Sequence, residues 1–182
     1  MICYVRLIKK ARWDKKADSF EEISGETVIF DWNCINDEWS VYECPNDALS
    51  LKKSKQLNNI TLKLICDNIS KTKSGVELLV LDDEFLDLVQ SKAIRDDTDI
   101  LYCRHCNIKG INLGKINKAV KYTFENIESK VIKYTVKEIK NLFENYPADY
   151  FTEFVRRTKK DNLSTIEKAF NLKEGFFKAY QK

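Results

Sequence analysis

The chain has 182 residues, 43% of them apolar and 12% aromatic, with five Gly and two Pro. That composition provides a sizeable hydrophobic core and excludes a disordered or fibrous chain. The net charge of +3 hides a division: residues 1–110 carry 16 Lys and Arg against 19 Asp and Glu, whereas residues 111–182 carry 15 against 9.

No run reaches the roughly 18 apolar residues of a membrane span. The start, Met-Ile-Cys-Tyr-Val-Arg, lacks the basic and apolar regions of a signal peptide. A cytoplasmic protein without membrane contact is the expectation. Six cysteines stand at 3, 34, 44, 66, 103 and 106. Four of them lie in apolar, strand-like segments, where a reduced thiol serves as a small core residue, so no disulfide framework is expected.

In chain order, Cys3, Val5 and Leu7 alternate with Tyr4, Arg6 and Ile8, the period of a strand. A polar stretch to Gly25 comes next, with room for one helical turn. Val28 to Cys34 and Trp39 to Tyr42 read as a hairpin turned at Asn36-Asp37. After Pro45, a short helix runs from Asn46 or Asp47 to about Leu57.

Ile60, Leu62, Leu64 and Cys66 alternate again and, with Val76 to Leu81, suggest a second hairpin. Asp82 or Asp83 caps a helix whose Phe85, Leu86 and Val89 share a face. Ile100 to Cys103 is the expected last strand.

From Lys115 to Tyr146, apolar residues recur at three- and four-residue steps without Gly or Pro, which predicts one long amphipathic helix or two nearly continuous ones. Pro147 opens the next helix, in which Phe151, Phe154 and Val155 align. Asp161-Asn162 breaks it, and Ser164 with Glu167 suggests a capping box for the last helix. The expected fold is therefore α+β: a sheet-rich part over residues 1–110 and a basic helical part over residues 111–182, within one integrated domain.

Cys103-Arg104-His105-Cys106 has the thiol spacing of half a zinc site, with His105 itself or Cys34 and Cys44 as candidates for the rest. A redox role would need this motif at a helix start, and the sequence instead places it after a strand. Gly110-Ile-Asn-Leu-Gly114-Lys115 has one residue too few between its glycines for a phosphate loop and reads as a helix-start turn capped by Asn112. The acids Asp82, Asp83, Glu84, Asp87, Asp96, Asp97 and Asp99 could bind a hard cation, although caps explain the first of them equally well.

On a single long helix, Lys115, Lys118, Lys130, Lys133, Lys137 and Lys140 would share one sector. Arg156, Arg157, Lys159 and Lys160 add a basic cluster suited to phosphates. The stretch from Ile166 to Phe177 resembles the core of a helix-turn-helix, with Ala169 at the crossing and Asn171 in the turn. Packing by Phe170, Leu172, Phe177 and Tyr180 is its bland counterpart. Trp39 and Tyr42 are candidate interface anchors, and Trp32 a core residue.

No motif here fixes a reaction, and no cofactor is predicted beyond the zinc candidate. The leading expectation is a non-catalytic intracellular binding protein, a regulatory or accessory subunit acting through a protein partner or self-association. DNA or RNA binding through the basic helices is the alternative, and a metal-dependent enzyme the third.

Overall fold

The structure is a computed structural model that describes residues 3–13, 31–44, 48, 50–96 and 104–181. By internal contacts the chain forms two compact units, one of residues 1–54, 77–99 and 104–132, the other of residues 55–76, 100–103 and 133–182. Sheet and helices together make an α+β fold.

The sheet contains β1 (Cys3–Ile8), β2 (Glu38–Cys44), β3 (Val76–Leu81), β4 (Ala93–Arg95), β5 (His105–Lys109) and β6 (Val131–Tyr134). Its order is β4-β5-β2-β1-β3-β6. β1 lies antiparallel between β2 and β3, with Cys3 opposite Cys44 and Tyr4 opposite Leu81. β5 lies antiparallel between β2 and β4. The strand expected over residues 100–103 lies outside the described residues.

Asn36 and Asp37 make the expected turn, both with positive φ, 53° and 58°, as a tight hairpin turn requires. The first arm of that hairpin differs from the expectation. Only Ile35 bridges to Glu38, residues 32–34 are not strand, and 28–30 lie outside the described residues. The reason is Arg6, whose buried guanidinium donates to the carbonyls of Asp31 (2.8 Å), Asn33 (3.1 Å) and Ser40 (2.8 Å). In the first arm these donors occupy the Asp31 and Asn33 carbonyls, which a strand ladder would otherwise take.

The segment Ile60 to Cys66 is not a strand. It lies within helix α1 (Lys55–Asp67), which replaces the expected strand; of the helix expected to end near Leu57, residues 46, 47 and 49 lie outside the described residues and 52–54 are not helical. Leu57, Ile60, Thr61, Leu64 and Ile65 form its helical stripe, but Leu62 and Cys66 are buried too. A helix buried around most of its girth places apolar residues at every second position as well, and so imitates a strand. β3 consequently pairs with β1 and not with residues 60–66. A short helix α2 (Ile69–Thr72) comes directly after α1.

Helix α3 (Asp83–Val89) starts as expected, with the Asp82 carboxylate accepting the Phe85 N–H. Helix α4 (Leu113–Asn126) is capped by Asn112, which accepts from Lys115 N–H at 3.0 Å. The long helix over 115–146 is overturned: α4 stops at Asn126, β6 intervenes, and α5 covers Val136–Asn145. Two local signals explain this. The N–H groups of Ser129 and Lys130 turn back to the Asn126 carbonyl, and Thr135 with Glu138 closes a reciprocal capping box that starts α5 afresh.

On its inner face the first unit packs Trp13, Trp32, Trp39, Val41, Phe85, Ile108 and Tyr122. Trp32 donates its indole N–H to Thr123 at 2.8 Å and stacks on Phe85, so its assignment to the core is correct.

In the second unit, α1 and α2 join α5, α6 (Ala148–Arg157), α7 (Lys160–Ala169) and a terminal 3-10 turn, Phe176–Tyr180. Phe143 on α5 lies within 6.0 Å of the rings of Phe151, Phe154, Phe170 and Phe177. Pro147 precedes α6, and Phe151, Phe154 and Val155 are buried along it, as expected.

The break falls at Thr158-Lys159, however, and Asp161-Asn162 belong to α7. Ser164 and Glu167 form no capping box. Ser164 donates to the Asp161 carbonyl, and Glu167 accepts the N–H groups of Gly175 and Phe177. Asn171 does occupy the turn, with φ 52°, but the next element is a five-residue 3-10 turn and not a recognition helix. Phe170, Leu172 and Phe177 are buried, and Tyr180 packs on Phe151. Among the described residues no helix is long and apolar enough to cross a membrane.

Candidate functional site

Side chains alternate across a strand, so Trp39, Val41, Cys106 and Ile108 enter the core while Ser40, Tyr42, His105 and Asn107 face the other way. The registers set these outer residues in two rows. Asn107 stands opposite both Ser40 on β2 and Ile94 on β4. In the next row Tyr42 stands opposite both His105 and Val5, and Val5 opposite Val80. Accessibility falls along the second row, from Asp96 (32% for the side chain) and His105 (18%) to fully buried Val5 and Val80. The first row stays open: Ser40 is exposed, Asn107 partly so, and Ile94 is 53% exposed.

Three polar side chains on this open end form a chain. The Ser40 hydroxyl lies 2.7 Å from His105 Nε2, and His105 Nδ1 lies 3.2 Å from Asp96 Oδ2. Asp96 is held in place because its own N–H donates to the His105 carbonyl, continuing the β4–β5 ladder. Tyr42 sets its ring 5.3 Å from the imidazole. A carboxylate only accepts, so in a neutral imidazole Nδ1–H faces Asp96 and Nε2 accepts the serine hydroxyl.

Sequence reasoning named His105 but missed Ser40, Asp96 as its partner, Asn107 and Ile94. The one signal available was that His105 is the only histidine. What joins it to serine and aspartate is strand pairing, which local pattern does not encode.

The expected sites are distributed otherwise. Trp39 and Tyr42 are buried, at 0% and 5% exposure, and are not surface anchors. Cys106 alternates away from its neighbour His105 into the core, where burial pushes its thiol pKa up and it donates to the Arg104 carbonyl. Cys44 is buried, Cys34 half-buried, and Cys103 lies outside the described residues. Among the described residues no three ligating side chains gather into a metal site.

Asp82 is committed to other work. Besides capping α3 it accepts from Tyr122 (3.1 Å) and pairs with Lys130 (2.8 Å). Burial works to raise its pKa, but these bonds outweigh burial and hold the carboxyl below its usual range. Asp97 and Asp99 lie outside the described residues.

No single helix carries the lysine sector, because Lys115 and Lys118 are on α4, Lys130 precedes β6, Lys133 is in β6, and Lys137 and Lys140 are on α5. Arg156, Arg157, Lys159 and Lys160 are all exposed where α6 meets α7, with Glu153 bridging to both arginines.

No protein-family model, no curated protein and no solved structure matches this chain.

Proposed function

We propose that the chain is a binding protein, an accessory subunit that engages a protein partner through the open end of its outer sheet face. The supporting observation is the row Ile94, Asn107 and Ser40. It leaves an aliphatic side chain and two polar ones accessible beside a fully buried part of the same face. An exposed isoleucine on a three-residue strand at the edge of the sheet, as formed by the described residues, offers both an apolar anchor and a ladder for a partner strand. A cytoplasmic location belongs to the same proposal.

The test is affinity capture from the native host with wild-type and Ile94→Asp baits. A protein retained by the first and lost from the second supports the reading. Identical captures from both baits contradict it.

A second reading is favoured by one observation. Four basic side chains, Arg156, Arg157, Lys159 and Lys160, are exposed within five residues, a footprint that suits a phosphate backbone.

A further inference from the structure

The Ser40–His105–Asp96 chain has the connectivity of a nucleophile, its general base and the carboxylate that orients the base. Hydroxyl to Nε2 and Nδ1 to carboxylate is the order that lets a neutral imidazole take a serine proton and leaves the resulting cation beside an anion. The three residues come from β2, β5 and the residue after β4, three adjacent strands of one sheet, so their spacing is fixed by the ladder and not by loops. Ser40 is exposed and His105 mostly shielded, so an electrophile from solvent reaches the oxygen while the base stays partly dry.

A fourth residue completes the arrangement. Glu43 N–H donates toward β5, to the Arg104 carbonyl, whereas the Ser40 carbonyl, three residues away and of opposite parity, receives Arg6 from the β1 side. Ser40 and Asn107 are therefore a non-hydrogen-bonded pair, the closer kind, with Cβ atoms about 4.5–5.5 Å apart. Asn107 stands directly across from Ser40 on the same face, so its amide is the donor that the pairing offers to an oxyanion forming there.

We propose that Ser40 is an activated nucleophile that forms an acyl-serine with small carboxylic esters, with His105 as general base and acid, Asp96 as the orienting carboxylate and Asn107 as the oxyanion donor. The Ser40 oxygen bonds to the ester carbonyl carbon as its proton passes to His105 Nε2. The tetrahedral adduct then collapses by breaking the bond to the leaving alcohol oxygen, which takes the proton back from Nε2. Water repeats the sequence on the acyl-serine and releases the acid and Ser40. Nothing is oxidised or reduced. The proposal stands on side-chain geometry and does not depend on the partner reading.

The experiment treats full-length protein with p-nitrophenyl acetate and, separately, with a fluorophosphonate probe that bonds to serine with loss of fluoride. Intact mass and peptide mapping locate the adduct. One adduct at Ser40 is expected, absent in Ser40→Ala, with melting curves showing that each variant is folded. His105→Gln should slow adduct formation by about 100-fold or more, the usual contribution of a positioned base. Asn107→Ala should slow p-nitrophenol release by a comparable factor of about 100. No adduct at Ser40, adducts only elsewhere, or equal rates in folded His105→Gln would overturn the proposal.

Discussion

Arg6 donates from Nη1 to the Ser40 carbonyl at 2.8 Å, so a buried cation in the central strand holds the strand that carries the accessible serine. Its other two bonds reach the Asp31 and Asn33 carbonyls, and the guanidinium lies 4.9 Å from the Trp32 ring. Burial pulls the Arg6 pKa down to about 10, and Asp31 opposes that shift.

Arg6→Ala therefore leaves three carbonyls without their donor. Only the Asp31 bond is buried and the other two are partly buried, so the expected loss is about 1–3 kcal/mol from the Asp31 acceptor, with smaller additions from the Asn33 and Ser40 carbonyls. Arg6→Lys should recover only part of it, since an ammonium lacks the planar fork. Urea unfolding checks both variants, with the midpoint falling and the slope unchanged.

Asp82 links the acid limb of stability to one carboxylate. Its pKa is lower folded than unfolded, so its contribution is complete above the ordinary carboxylate pKa and is lost as pH falls through the folded value. Asp82→Asn should lower stability near neutral pH by about 1–2 kcal/mol and flatten the decline below about pH 4. Melting temperatures from pH 7 to pH 2.5 check this; parallel curves for the two proteins would contradict it.

In the second unit, Phe143 stands at the centre of the aromatic cluster, within 6.4 Å of five other phenylalanine rings. Phe143→Ala should cost about 3–5 kcal/mol. Exposed Lys137, six residues earlier on the same helix, should tolerate alanine within about 0.5 kcal/mol. Thermal unfolding of the two variants beside the wild type measures both values.

The basic junction of α6 and α7 makes a separate prediction. If it contacts phosphates, affinity for generic duplex falls steeply as salt rises, and neutralising Arg156, Arg157, Lys159 and Lys160 together shallows that slope. Glu153 already compensates the two arginines, its carboxyl held below the usual range by the Arg156 hydrogen bond. The expected affinity is accordingly modest. Fluorescence anisotropy between 50 and 200 mM salt measures it, and absence of binding at the lower value removes the second reading.

Much of the fold was legible where a local device acts alone. The alternation of β1, the Asn36-Asp37 turn, the Asp82 and Asn112 caps and the Pro147 start each need only neighbours in sequence. Helix α1 failed that test because tertiary burial on most sides erased the polar face that marks a helix. The long helix failed because an apolar period continued through Val131 to Tyr134, while the Thr135-to-Glu138 capping box that interrupts it passed unread. The site was the least legible part. His105 was visible, but Ser40 and Asp96 lie 65 and 9 residues from it, and only the β4-β5-β2 pairing brings them together.

If the open end of the outer sheet face is the protein's working surface, a partner must approach Ile94. A photo-crosslinking residue placed at position 94 in the native host tests this directly, with one at exposed Lys121 on α4 as the control. A discrete crosslinked species from position 94 and none from position 121 is the predicted result. No product from position 94, or the same products from both positions, would contradict it.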